Sequence, residues 1–272
     1  MKLALLTDAE RPSLTADDRR LVPALAEVGI EGVAAVWDDP GVDWATFDAV
    51  CVRSPWDYHL RVEAFEAWVR ALPVPAFNPA PVLLWNLRKS YLDALATKVA
   101  VIPTRRLRGG RLADVLAETG WDEVVVKPEV SAAGHRTWRA RAGFEPGEGA
   151  WLVQPYLPAI EAEGEWSLVY LDGEYSHAVR KVAAAGNFLI HEEHGGRVLA
   201  GEPDAALLAA GARAIGAVGP LPYARVDLVR GPDGPLLMEL ELVEPELFFR
   251  FEPAAAGRLA SAIRRRMAGG RA

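Results

Sequence analysis

The chain has 272 residues, 51% of them hydrophobic and 25% charged, which suits a globular protein with a substantial core and excludes disordered and collagen-like classes. Its net charge of −7, with no long basic run, argues against a nucleic-acid partner. The one cysteine, Cys51, rules out an internal disulfide, and no apolar stretch is long enough to cross a membrane, so a cytoplasmic setting is expected.

The first apolar run stops at Asp8, too soon for a signal-peptide core, and reads as a strand. Further strands are expected at 33–37 and 49–52. Helical stripes fall between and after them, at Leu21, Ala24, Leu25 and Val28 and at Phe65, Trp68, Val69 and Leu72. Strands alternating with helices predict a parallel sheet, whose ligands bind beyond the carboxyl ends of the strands. The third strand runs directly into Arg53, Ser54, Pro55, Trp56, Asp57, Tyr58 and His59. These groups suit recognition of a small polar molecule. The plainer reading is a polar loop around a packed Trp56.

A proline-dense connector at 73–81 leads to a helix with Leu84, Leu87, Tyr91 and Leu95 on its apolar side. Lys89 falls off that stripe and, taken alone, reads as a surface lysine. A helix at 111–118 precedes an apolar strand at 123–127 that ends in Lys127. The small, polar loop that follows holds Ser131, Gly134 and Thr137, and its backbone N–H groups can close over phosphates. No GxxxxGK[ST] sequence occurs, and one glycine is a weak signal. Residues 151–158 read as a strand entering a hinge that carries Gln154, Tyr156 and Leu157.

Asp172-Gly173 predicts a two-residue hairpin turn, which sets Glu165 opposite Arg180. An ordinary cross-strand ion pair of about 0.2–1 kcal/mol explains that pairing without a function. His191 and His194 are spaced i, i+3 rather than the i, i+4 of a helical zinc motif, and read as a mobile loop. Helices at 203–218 and 253–266 close the domain, and Arg264, Arg265 and Arg266 suit the negative pole of a helix end.

The stretch from 223 to 246 reads as a second hairpin about GPDG. A five-residue loop, 231–235, keeps Pro235 out of the ladder, sets Asp227 opposite Glu239 and Arg225 opposite Glu241, and turns all four to one face. A two- or four-residue loop would turn Asp227 away. Three acids on one face repel unless a cation such as Mg²⁺ lies between them. A solvated acidic face is the alternative.

With these residues in view, the chain resembles an ATP-grasp ligase of the glutathione synthetase-like type. The resemblance runs from about Arg53 to Glu246 and is carried best by Gln154-x-Tyr156-Leu157-Pro158, Gly164-Glu165 and the Arg225-x-Asp227 and Glu239-x-Glu241 strands. The Pro-Trp-Asp-Tyr-His loop and the chain length are similar to cycloserine ligase-like members. The resemblance implies an α/β (α+β) ATP-grasp fold with a parallel pre-ATP-grasp substrate domain at 1–86 and two α+β subdomains, 87–158 and 159–272, clasping ATP. Lys89 and Lys127 would hold phosphates, with the loop of Ser131, Gly134 and Thr137 over them, and Asn78 and Asn86 near the mouth of the nucleotide site. Gln154, Tyr156 and Leu157 would take adenine, and Glu165 the ribose. Asp227, Glu239 and Glu241 would hold Mg²⁺, two ions for which Mn²⁺ could substitute. Arg180 would face the γ-phosphate or substrate carboxylate. Arg53, Ser54, Trp56, Asp57, Tyr58 and His59 would bind substrate.

Two positions depart from the family pattern. Glu241 stands where an asparagine is usual, and Leu189 where an arginine often steadies the acyl phosphate, a duty that His191, Arg197 or Arg180 could take. The activity implied is ATP-dependent joining of a carboxylate to an amine on small amino-acid-like substrates, within one molecule or between two, by way of an acyl phosphate. A kinase on the same fold and a nucleotide-binding module without turnover are the alternatives. Relatives often associate, so a homodimer is expected.

Overall fold

The computed structural model describes residues 1–132, 134–184, 190 and 195–269, so the expectations placed on Leu189, His191 and His194 lie outside the described residues. The mixed α/β fold is built on three sheets. The first is parallel, in the order β2-β1-β3-β4, from β1 (Lys2–Thr7), β2 (Glu31–Val36), β3 (Ala49–Ser54) and β4 (Ala76–Phe77). Helices α1 (Leu21–Glu27) and α2 (Val62–Ala71) bury Leu21, Leu25, Phe65 and Val69, members of the two stripes expected from the sequence.

The expected helix through Leu84 and Leu95 is broken into α3 (Ala80–Asn86) and α4 (Tyr91–Leu95). Lys89 sits in the break, where its backbone N–H donates to the Glu129 carbonyl at 2.9 Å. That break buries a lysine whose helical spacing, taken alone, reads as surface, and is consistent with its expected place at the phosphates.

The second sheet is antiparallel, in the order β5-β8-β6-β7, from β5 (Arg105–Arg108), β6 (Val124–Pro128), β7 (Trp138–Ala140) and β8 (Ala150–Pro155). Helix α5 (Leu112–Thr119) covers it through Leu112 and Val115. After the short α6 (Ala159–Ala162) comes the third sheet, β11-β10-β9-β12-β13. Its strands are β9 (Glu165–Leu171), β10 (Glu174–Val182), β11 (Arg197–Gly201), β12 (Tyr223–Gly231) and β13 (Gly234–Glu241). Helix α7 (Ala205–Val218) packs against β12 and β13. Helix α8 (Ala254–Gly269) lies against α1, and Leu259 and Ile263 share one core with Leu3 and Leu5 of β1 and with Val169 and Leu171 of β9. The C-terminal helix therefore ties the first sheet to the third. Among the described residues no helix is long and apolar enough to cross a membrane.

The first hairpin differs from expectation in register and the second in its turn, while the expected pairing of the second hairpin's charged residues stands. In β9–β10 an irregularity between Tyr175 and His177 shifts the pairing by one, so Lys181 rather than Arg180 faces Glu165, and Arg180 faces Trp166. In β12–β13 the turn is tight, with Gly231 paired to Gly234, where five loop residues were expected. A bulge at Met238 then restores Asp227 opposite Glu239 and Arg225 opposite Glu241. Pro235 joins the ladder after all, tolerated because β13 is the last strand of its sheet.

That last strand does not present an open edge. Leu237 exchanges backbone bonds with Ala100 and Ile102, the Leu240 N–H donates to the Tyr91 hydroxyl at 3.0 Å, and the Leu242 N–H to Asn86 Oδ1 at 2.7 Å. The Asn86 and Asn78 side-chain amides return the favour to the Leu240 and Leu242 carbonyls at 2.8 and 2.7 Å. Side chains thus stand in for a missing neighbour strand. Asn78 and Asn86 act as struts that hold β13 in place.

Candidate active site

A cavity of about 350 Å³ opens where the three sheets meet. One end is apolar, formed by Ile102, Leu157, Ile160, Ile190, Val229 and Met238, and Gln154 and Tyr156 stand beside it. The Gln154 amide is oriented by donation to the Thr104 hydroxyl at 2.9 Å. Such an end suits a flat base with a few directed polar groups. The other end is densely charged. It gathers Lys89, Lys127, Lys181 and Arg225 with Glu165, Asp227, Glu239 and Glu241.

The charges are arranged in three linked contacts. Glu239 takes Lys127 Nζ at 2.8 Å and lies 3.6 Å from Lys89 Nζ. Lys89 also donates to the Ser131 carbonyl at 2.9 Å, tying the loop after β6 to the break between α3 and α4. Burial pushes the Glu239 carboxyl up, but the two ammonium groups outweigh it and hold the group down to about 2. Next, Arg225 binds Asp227 through Nε at 3.0 Å and also reaches Glu241. Burial pushes Asp227 up, yet the Arg225 and Lys181 charges keep it well below the usual carboxylate range. Burial wins at Glu241, which is pushed up to about 8 although Arg225 is beside it. In the third contact, Lys181 pairs with Glu165 and lies 3.8 Å from Asp227. Burial again dominates and pushes Glu165 up to about 7.

A hard cation fits part of this acid set. Glu239 and Glu241 lie on one face, one residue apart, with side chains 20% and 25% exposed, so both can turn oxygens to an ion. Asp227 fits less well. Its Oδ1 is taken by the Ser167 hydroxyl at 2.6 Å and by Arg225, and its Oδ2 by Arg225 at 3.0 Å.

Of the residues expected at the nucleotide, the cavity brings together Lys89, Lys127, Ser131, Gly134, Thr137, Gln154, Tyr156, Leu157 and Glu165. Glu165 gives one carboxylate oxygen to Lys181 and to the Ser167 hydroxyl, the latter at 3.2 Å. Arg180 points away from the cavity and packs over the Trp166 ring at 5.9 Å, and Arg197 is exposed at the start of β11. Neither lines the cavity.

The substrate loop divides. Trp56 and Tyr58 line the cavity. Arg53 does not: it is fully buried, bound to Asp18 at 2.9 Å and to the Pro245 carbonyl at 2.6 Å, and anchors the segment after β13. Ser54 is equally buried against Thr7, and Asp57 accepts from the Trp37 indole at 2.8 Å, away from the cavity. His59 holds the Trp56 carbonyl at 2.8 Å, and its ring lies 5.1 Å from that of His135 in the loop after β6.

Sequence reasoning missed three groups. Lys181 was hidden by the irregularity in its hairpin. Glu244 and Glu246 also line the cavity, in the segment after β13. The run of acids at 239, 241, 244 and 246 was their signal, though its second half lies beyond the strand alternation.

Comparison with known proteins agrees with this geometry. Residues 3–78 match the family described as D-cycloserine synthetase DcsG, N-terminal domain. The cycloserine biosynthesis protein DcsG of Streptomyces lavendulae is 35% identical over 294 residues, covering 97% of this chain and 98% of that protein. A crystal structure of D-cycloserine synthetase DcsG superposes with a TM-score of 0.87 at 32% identity, covering 98% of this chain and all of that one. The ATP-grasp ligase PsnB, solved with a minimal precursor variant, Mg and ADP, shares the fold at a TM-score of 0.65 and 18% identity over 97% of this chain and 98% of that one. With the lysines, the paired acidic strands and the apolar end gathered in one cavity, the chain belongs to the D-cycloserine synthetase family of ATP-grasp ligases, and is an ATP-dependent carboxylate–amine ligase.

Proposed function

We propose that the cavity binds MgATP with its adenine at the apolar end and its phosphates at the charged end. There a small amino acid is activated at its carboxylate and closed on itself by its own side-chain nitrogen. The observation that carries the reading is Glu239, held by both Lys127 and Lys89 at 2.8 and 3.6 Å in the same cavity as the apolar end. Those lysines are ready to exchange one carboxylate for phosphate oxygens. Glu239 and Glu241, with Asp227 behind them, would hold Mg²⁺, as two ions. Mg²⁺ supplies charge neutralisation on the transferring phosphoryl group.

The chain's own residues do the rest. Lys89 and Lys127 orient the phosphates, and Ser131, Gly134 and Thr137 close over them and exclude water, which would otherwise intercept the activated carboxylate. The γ-phosphoryl passes to the carboxylate oxygen with release of ADP. The nitrogen then attacks the carbonyl carbon, its proton leaves to solvent, and phosphate departs. Ring closure rather than joining of two molecules is favoured by the similarity to a cycloserine synthetase over nearly the whole of both chains. The division at 1–86, 87–158 and 159–272, a cytoplasmic setting and a homodimer belong to the same reading.

The test is ADP release with Mg²⁺, ATP and a panel of amino acids bearing a second nitrogen, with Glu239→Ala as control and the product mass recorded. A product lighter than its parent amino acid by one water supports ring closure. A product joined to a second amine makes the enzyme an intermolecular ligase, and a product heavier by a phosphoryl group makes it a kinase. Substitution of Mn²⁺ for Mg²⁺ and sedimentation of the pure protein test the metal and the dimer.

A further inference from the structure

Two histidines stand behind the cavity wall without lining it. His59 follows Trp56 and Tyr58, and His135 lies between Gly134 and Thr137; all four of those neighbours do line the cavity. The two rings meet, with centroids 5.1 Å apart and planes inclined by 54°. Their contact joins the segment after β3 to the loop after β6, two strands of different sheets. That loop is already fastened at its start, where Lys89 Nζ donates to the Ser131 carbonyl at 2.9 Å. The His59–His135 contact fastens it a second time, further along.

The contact suits neutral rings. A carbonyl only accepts, so His59 carries its proton on Nδ1, 2.8 Å from the Trp56 carbonyl, and Nε2 is left as the site of a second proton. The surroundings disfavour that proton. The ring is half-buried, and Asp57, the acid nearest in sequence, is already engaged by the Trp37 indole at 2.8 Å and by Arg61. The other charges that act on the ring are those of Lys89 and His135, both positive. Burial first, then His135 and Lys89, hold His59 below the ordinary imidazole range, opposed by the Trp56 carbonyl and Asp57. His135 is exposed, and among the described residues it has no ion pair and no side-chain hydrogen bond. Protonating both rings sets like charges against each other.

We propose that the His59–His135 contact is a proton-released clasp: neutral rings hold the loop after β6 over the phosphates, and protonation lets it open. This rests on the nucleotide reading above and adds its regulation. An open loop lets nucleotide leave and water enter, so acid speeds nucleotide release and impairs the closed-loop chemistry. A histidine that stays neutral only in the closed state makes closure about tenfold less favourable one pH unit below its ordinary value of about 6.5.

The test uses the full-length wild type beside His59→Asn, His135→Asn and the double variant, whose amides form hydrogen bonds but take no charge in this pH range. Proton NMR titration of the chain's 5 histidines reads the contact. His59 should titrate below the ordinary imidazole value in the wild type and move up in His135→Asn. Stopped-flow release of a fluorescent MgADP analogue reads the loop. Between pH 7.5 and 5.5, release from the wild type should quicken about tenfold relative to either single variant, a ratio that cancels the titration of the nucleotide itself. The double variant should match each single one, because either replacement already removes the clasp. Release that slows in acid makes the pair a phosphate contact and overturns the clasp. A ratio that stays within about twofold, or a His59 titration unmoved in His135→Asn, also overturns it. Each of these results with MgADP binding intact leaves the nucleotide reading standing. A protein whose melting temperature MgADP does not shift, and which releases no analogue, loses both.

Discussion

Replacing Lys181 with methionine tests how the charged end of the cavity is held together. Lys181 and Glu165 are 6% and 4% exposed, and they pair directly, with Asp227 a further 3.8 Å from the ammonium. At an effective dielectric constant of about 20, one such contact near 4 Å is worth about 4 kcal/mol before desolvation is counted. Lys181→Met removes that contact and leaves Glu165 buried with the Ser167 hydroxyl but no cation in contact, which costs roughly 3 kcal/mol. The loss depends on pH. The Glu165 carboxyl is already pushed up to about 7 by burial, above its value in the unfolded chain, so its share of stability is present below about pH 4.5 and is lost as pH rises toward 7. Without Lys181 that loss continues to higher pH. Urea denaturation in metal-free buffer should therefore give a deficit of roughly 3 kcal/mol at pH 8 that shrinks to about 1 kcal/mol at pH 5.5. The pair Glu165→Gln with Lys181→Met should recover most of it, because no buried charge is left unpaired. A single-variant deficit below about 1 kcal/mol at pH 8, or one independent of pH, would refute this account of the pair.

Asn86→Ala removes both side-chain bonds that cover the edge of β13, to the Leu240 carbonyl and the Leu242 N–H. A loss of about 2–4 kcal/mol is expected by chemical denaturation, together with weaker Mg²⁺-dependent nucleotide binding, since Glu239 and Glu241 ride on that strand. Burial, opposed by the neighbouring Arg53 charge, pushes the Cys51 thiol up to about 12. At pH 8 only about one part in 10⁴ is thiolate, so iodoacetamide should label native protein no faster than it unfolds, and labelling at the rate of a free thiol would contradict the buried assignment. His177 is held neutral by burial, with its Nε2 2.9 Å from the Leu247 carbonyl. Its depressed value means the unfolded chain takes up the proton first, so stability falls as pH drops below about 6.5. His177→Gln should flatten that slope between pH 7 and 5, measured by thermal melts.

Local patterns in the chain already determined much of this protein. Alternation along 239–241 and 225–227 is enough to set four charged groups on one face, because strand side chains repeat every two residues whatever surrounds them. The stripes at Leu21–Leu25 and Phe65–Val69 likewise mark the buried sides of α1 and α2. The register of the hairpins was another matter. A bulge needs one residue to leave the ladder, and nothing in the composition around Ser176 or Met238 announces it. Yet the first bulge brings Lys181 to the cavity in place of Arg180, and the second restores Asp227 to the face that a tight turn alone would have denied it. Arg53 misled for a related reason: an arginine at the end of a parallel strand looks like a ligand group until Asp18 and Pro245, from distant parts of the chain, are seen to enclose it. By spacing alone Lys89 looked like a surface residue until the break between α3 and α4 turned it inward. Periodicity is a property of neighbours in sequence and was legible there. Which charge meets which across the cavity depends on hairpin bulges and on distant contacts such as Lys127 with Glu239, 112 residues apart, and only the folded chain decides them.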